Sequence, residues 1–284
     1  MTASADADVV LAYSATGWRW RDGPGRVYDR LSEILVAAAP VGVRRARVLD
    51  VGAGMGAATR AAVADGARSV VAIDRAFGML EAAAAEGPTA VLADARWLPL
   101  RAGAFDLAVA AFVLNHLAAP LPALEEIRRV LRPGGGLVVG TYAADDTHPV
   151  KGAVETVLLA AGWEEPGWYR QMRAETTGAT SMMGRLRRLA EDAGLVEIRV
   201  RHLRVPFPEL AAPDLVAWRL GMAQHAPFLA GLGASRQGAL MEAALELLGE
   251  TPVLVRSLLV LCARTASGED AVDPAGQRAP VHPG

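Results

Sequence analysis

Between Arg45 and Tyr142, short runs rich in β-branched residues alternate with alanine-rich stretches of helical period. Strands are predicted at Arg47–Val51, Ser69–Asp74, Thr89–Asp94, Phe105–Phe112 and Leu137–Tyr142, with helices at Ala57–Asp65, Phe77–Ala85 and Leu121–Leu131. Such a rhythm allows few topologies. Parallel strands need crossover connections, and helices packed on both faces turn them into a doubly wound α/β sheet. Ligands of such sheets bind beyond the carboxyl ends of the strands. The loops near Gly52, Asp74, Asp94 and Phe112 therefore share one rim.

The first of those loops carries the most chemistry. In Val48-Leu49-Asp50-Val51-Gly52-Ala53-Gly54-Met55-Gly56 a strand runs into a glycine turn and leaves as a helix. Glycine lets the chain bend sharply and bring backbone against a ligand, and the helix start presents free N–H groups. A tight turn of any α/β protein, or a nicotinamide or flavin site, fits the same residues. A dinucleotide site, however, places its third glycine as G-x-G-x-x-G, one residue later than here. Asp74 ends the second strand, 18 residues after Gly56, where a carboxylate can take both hydroxyls of a ribose. It can equally cap the helix that follows. Asp94 closes the third strand on the same rim, and three acidic strand ends without a basic phosphate clamp favour a cationic ligand with a free ribose.

In order and spacing, residues 28–142 resemble the class I S-adenosylmethionine-dependent methyltransferases, closest in style to those of ubiquinone and menaquinone biosynthesis. Asp50–Gly56 is similar to their first motif, Asp74 to the ribose-binding acid and Asp94-Ala95 to the adenine-binding pair. Phe105–Ala111 is similar to their fourth strand, and Glu126–Gly135 to the helix and turn before the fifth. The resemblance implies a seven-stranded Rossmann-like sheet, completed by strands at Val196–Pro206 and Val253–Ala263, with S-adenosyl-L-methionine as cofactor and S-adenosyl-L-homocysteine as product. It implies that Asp50, Gly52, Ala53 and Gly54 run past the methionine end of the cofactor and that Asp74 holds its ribose. Arg75 or Met79 would flank the adenine, which Asp94 and Ala95 would address, Ala111 would meet the methionine moiety, and Tyr28 is a further cofactor-site candidate.

Helices predicted at Lys151–Ala161, Trp168–Ala174, Met182–Ala193, Ala211–Met222 and Ala234–Leu248 would be lid insertions, at about 143–194 and 208–250, in a domain spanning 41–266. Residues 1–40 would form N-terminal lid helices and 267–284 a solvated tail. Tyr13, Trp18, Trp20, Tyr28, Trp163, Trp168 and Tyr169 cluster in these lid segments, either to bind a flat acceptor or to glue helices to the core. His116, past the fourth strand in Asn115-His116, is the candidate general base, since an imidazole ordinarily titrates near pH 6.5. Asn115, Tyr142, His148, Trp168 and Arg219 are further acceptor-site candidates, Arg219 suggesting an anionic group.

Composition narrows the partners. A net charge of −2 gives no electrostatic basis for nucleic-acid binding, and no Asn/Asp-Pro-Pro-aromatic sequence follows the fourth strand. Cys262 is the only cysteine, so no disulfide and no cysteine-based zinc cluster forms within the chain, and no metal is expected. No signal peptide or membrane span is evident, which suits a cytoplasmic enzyme, monomeric or homodimeric. The reading is methyl transfer to an O, N or C atom of a small molecule, a specialised metabolite. The alternatives are a cofactor-binding enzyme of this fold that catalyses a cyclisation, and a nicotinamide-dependent oxidoreductase.

Overall fold

The computed structural model describes residues 3–17, 20–84 and 89–267. The chain opens with α1 (Ala3–Thr16), a π-helical turn at Arg21–Gly25 and α2 (Arg26–Ala37). Strands and helices then alternate as β1 (Arg47–Val51), α3 (Ala57–Ala64), β2 (Ser69–Asp74), α4 (Phe77–Ala84), β3 (Thr89–Leu92), β4 (Phe105–Ala111), α5 (Leu121–Val130) and β5 (Leu131–Tyr142). Four helices follow: α6 (Pro149–Ala160), α7 (Gly167–Gln171), α8 (Thr177–Thr180) and α9 (Met183–Asp192). After β6 (Val196–Phe207) come α10 (Ala212–Leu220), α11 (Ala226–Ala230) and α12 (Ala234–Leu248), then β7 (Leu254–Arg264).

The seven strands lie in the order β3-β2-β1-β4-β5-β7-β6. The first five are parallel, and β7 runs antiparallel between β5 and β6. Strand side chains alternate between faces, so Val48, Val109 and Val138 point into one core while Leu49, Ala108 and Val139 point into the other. Leu31 and Leu35 of α2 join the first core, which α6, α10 and α12 also line, and Ile127 of α5 and Leu186 of α9 join the second. α2 is thus built into this layer, and α1 and the turn after it lie outside it.

Most predicted boundaries fall within two residues of these elements. β5 differs, starting at Leu131 rather than Leu137, because Leu131 pairs with Phe105 and the register shifts before Leu107. Gly134, at φ +70°, absorbs the extra residues as a bulge, so the Pro-Gly-Gly turn lies inside the strand. The helix predicted at Trp168–Ala174 stops at Gln171 and gives way to a π-helical turn. The short α11 was not anticipated. Beyond Ser267, the expected tail lies outside the described residues. No helix among the described residues is long and apolar enough to cross a membrane.

Candidate functional site

The glycine turn after β1 needs left-handed backbone three times, at Gly52 (φ +70°), Gly54 (φ +53°) and Gly56 (φ +80°). A side chain at Gly52 would also overlap Val113 of the neighbouring loop. Asp74, at the end of β2, locks the turn. One carboxylate oxygen accepts the Gly54 N–H at 2.8 Å, and the other accepts the Ala76 N–H at 2.8 Å. A carboxylate offers about four lone-pair sites, so capping the turn does not exhaust its capacity to accept. Burial raises the Asp74 pKa against these hydrogen bonds.

Asp50 is 1% exposed yet lines the same cavity. Its Oδ2 accepts from the Thr59 hydroxyl at 2.7 Å, while Oδ1 has no hydrogen-bond partner among the described residues. Burial carries its pKa up to about 6 against the Thr59 hydrogen bonds. Asp94 differs from expectation. Its carboxylate is taken by Arg96 (Nη2 at 2.7 Å, Nε at 3.0 Å) and Arg75 (Nη1 at 3.1 Å). Burial alone would raise Asp94, but these guanidinium bonds win and bring it to about 2. At this strand end the cavity wall is Ala93 and Ala95, not the Asp94 carboxylate.

The cavity measures about 360 Å³ and runs from the glycine turn, past Met79 and Arg75, to His116. Val9, Tyr13 and Trp20 of the N-terminal segment roof it, and Tyr28 and Phe112 form one wall. The rings are continuous, with centroids 5.8 Å apart for Tyr13–Trp20, 5.0 Å for Trp20–Tyr28 and 5.4 Å for Tyr28–Phe112. Phe112 sits at φ +60°, where a bulky residue is strained. Strain of this kind clusters at functional sites. Here the Phe112 N–H bonds the Gly140 carbonyl at 2.8 Å and its ring stacks on Tyr142 at 4.7 Å, so strand pairing and packing hold the conformation.

His116 faces Tyr13 across the cavity, with Nε2 3.3 Å from the Tyr13 hydroxyl and the rings edge to face at 5.2 Å. Its Nδ1 is buried without a partner among the described residues. Burial, reinforced by Arg75, lowers the imidazole to about 4, well below the pH 6.5 expected from the sequence. Burial raises Tyr13 far above its usual value of 10.0, so at neutral pH both groups are uncharged.

The other acceptor-site candidates do not line the cavity. Tyr142 lies behind Phe112, and Asn115 has a buried, unpartnered Oδ1 beside His116. Trp168 packs on Tyr13 from outside at 6.5 Å. His148 caps α6, its Nδ1 accepting the Val150 N–H at 3.3 Å, and Arg219 is buried against Glu155 at 3.1 Å. Trp18 lies outside the described residues. The insertions thus support the lid rather than wall the pocket. Gly78 of α4 carries the backbone of Ser14, where any side chain would collide. Gly23 lies against the Ala217 carbonyl, Pro24 against Gly221, and Arg26 pairs with Asp214. Sequence reasoning missed Val9, Phe112 and Arg60 as lining residues. Arg60 bonds the Met55 carbonyl (2.7 Å) and Asp29 (2.5 Å), clipping the turn to α2. A strand-ending phenylalanine and a helical arginine gave no signal of this.

These residues suit a cationic nucleoside: a ribose-competent carboxylate, a buried carboxylate oxygen lacking a donor, and an aromatic wall. A family profile described as a methyltransferase domain matches residues 49–139. The chain is similar to the demethylmenaquinone methyltransferase of Renibacterium salmoninarum, 36% identical over 152 residues that cover 53% of this chain and 60% of that protein. It is 31% identical over 204 residues to that of Mycolicibacterium gilvum, covering 64% of this chain and 87% of the relative. With the former and two further relatives, the match spans only 46–60% of their length. Among solved structures, Haemonchus contortus phosphoethanolamine N-methyltransferase 2 in complex with S-adenosyl-L-methionine superposes with a TM-score of 0.56 at 16% identity. That match covers 91% of this chain and 57% of the other, and shows a shared fold.

Proposed function

The chain belongs to the class I S-adenosylmethionine-dependent methyltransferases, and we propose that it methylates an O, N or C atom of a small, flat acceptor, a specialised metabolite. Membership of this family sets aside the nicotinamide-dependent alternative. The observation that carries the proposal is the single aromatic-roofed cavity joining the glycine turn to His116. When bound, the cofactor supplies an electrophilic methyl on a sulfonium.

The chain's own residues do the rest. Gly52, Ala53 and Gly54 border the methionine end, Asp74 offers its remaining lone pairs to the ribose, and Asp50 Oδ1 offers a buried anionic acceptor. Arg75, Met79 and Ala95 bound the nucleoside, Tyr28 and Ala111 the reacting end. Tyr13 and Trp20 close the roof and exclude water, so alignment and desolvation supply most of the rate. Neutral His116 sets Nε2 against the Tyr13 hydroxyl with Nδ1 buried, so an acceptor hydroxyl or amine that takes the place of Tyr13 can give its proton to Nε2.

The relatives are named for demethylmenaquinone, yet the family profile ends at residue 139, before the insertions that brace the roof. The test is incubation with methyl-labelled S-adenosylmethionine, with reduced demethylmenaquinone and a panel of small phenols and amines as acceptors. Label in a small phenol or amine supports the proposal. Label confined to the quinol would assign the menaquinone step instead. Cofactor binding with no label transfer to any acceptor would favour a non-methylating reaction.

A further inference from the structure

Behind the Tyr28–Phe112 wall the chain buries two arginines whose carboxylate partners do not use all their donors. Arg256 of β7 is 3% exposed and gives Nε and Nη2 to the two oxygens of Asp146, at 2.9 and 2.7 Å. Lys151 of α6 reaches the same Asp146 at 2.9 Å. Arg219 of α10 is 4% exposed and gives Nη2 to Glu155 of α6. Two buried arginines thus each hold one carboxylate, and the half-buried Lys151 adds a third cation at Asp146. His148 and His225 add no compensating charge, since burial and the neighbouring cations keep both neutral, His225 down at about 3. Asp145 turns outward to Ser257 and His202.

The donors of this cluster are not used up. Arg256 Nη1, Arg219 Nε and the Trp218 indole N–H are buried without a hydrogen-bond partner among the described residues. They belong together: the Arg256 guanidinium lies 4.8 Å and that of Arg219 5.6 Å from the Trp218 ring centroid. A buried donor left unpaired carries its full desolvation cost, the more so on a charged group. One aromatic layer separates this cluster from the cavity. Tyr28 lines the cavity and feels the charge of both arginines, and Arg256 stacks at 4.0 Å on Tyr142, which stacks on Phe112. Asp50 and Asp74 thus line the cofactor's end of the cavity, while the guanidinium cluster lies outside it, behind the aromatic wall.

Resting on the reading of this cavity as the methyl-acceptor site, we propose that the acceptor is an organic anion. Its carboxylate or phosphate, admitted past Tyr28, is received by Arg256 Nη1, Arg219 Nε and the Trp218 N–H. Arg219 was legible in the sequence as a hint of anion binding. Arg256, inside an apolar strand sequence, was not.

Calorimetry on protein saturated with S-adenosylhomocysteine tests this, with naphthoate, naphthyl phosphate and the uncharged naphthamide as probes. At least one anion is expected to bind ten times more tightly than the amide, and which one identifies the group. Trp218→Phe keeps the ring and removes the donor. Arg256→Met removes the cation and leaves Asp146 paired with Lys151. Each is expected to cut the preference below threefold and leave amide binding unchanged. Equal affinity for amide and anions, no binding of either anion at millimolar concentration, or a preference surviving Trp218→Phe would overturn the proposal. S-adenosylhomocysteine affinity is measured first in the same protein, and the probes are also titrated without it. Failure of the cofactor to bind would overturn the methyl-transfer reading, while the anion preference is still read independently.

Discussion

At Asp74 one carboxylate closes the glycine turn and faces the cavity, so its loss should be felt twice. Asp74→Ala removes a charge-assisted ribose contact and should weaken S-adenosylmethionine binding by about 1.5–3 kcal/mol, roughly ten- to a hundredfold. It also orphans the Gly54 and Ala76 N–H groups, which should lower stability by about 1 kcal/mol. Calorimetry and thermal melting on one variant separate the two effects, and unchanged affinity in the folded variant would remove Asp74 from the ribose. His116 makes a different demand. If it is the base, His116→Ala should lower turnover about 10²–10⁴-fold with cofactor affinity intact. Because burial holds the imidazole at about 4, the acid limb of the kcat profile should fall near pH 4 rather than near 6.5. A limb near 6.5 would mean that another group, or the acceptor itself, carries the proton.

Among the elements, α1 depends on a glycine in another helix. Gly78 of α4 lies directly beneath the Ser14 carbonyl, and no side chain fits there. Gly78→Val should therefore lift α1, part Tyr13 from His116 and reduce turnover much more than cofactor affinity. A variant with turnover and affinity reduced equally would make α1 part of the cofactor site rather than its roof. This crossing was invisible in the sequence, where Gly78 is one more small residue in an alanine-rich helix. The strands were legible because burial on both faces writes continuous β-branched runs, and the glycine turn because three left-handed residues tolerate few substitutes. Tertiary competition hid the rest. Arg75 and Arg96 claim Asp94, strand pairing forces Phe112 into a strained conformation, and the insertions brace a roof that they were expected to form.

For the molecule as a whole, two buried neutral histidines set the response to acid. His116 and His225 stay unprotonated until about pH 4 and 3, whereas in the unfolded chain they charge near 6.5. Between those limits the unfolded state binds more protons, so stability falls as pH drops below 6.5. Asp50, raised to about 6, works in the opposite sense, since the folded state takes up its proton near pH 6 and the unfolded chain only near 3.8. Asp74, also raised by burial, acts with Asp50, and His148, also lowered, acts with the two histidines, so three groups against two leave a net loss on acidification. Thermal scans from neutral pH to about pH 4.5 should show it, and His225→Gln should flatten the slope. An unaltered slope would assign the acid sensitivity elsewhere. The seat of the roof has a different consequence. Its turn at Arg21–Gly25 rests on α10, about 190 residues further along the chain. On the ribosome, the strands carrying Asp50, Asp74 and Ala111 all emerge before α10 exists. Translation therefore delivers the nucleoside cradle and the Gly78 seat of α1 early, and the support beneath the Arg21–Gly25 turn only about 190 residues later.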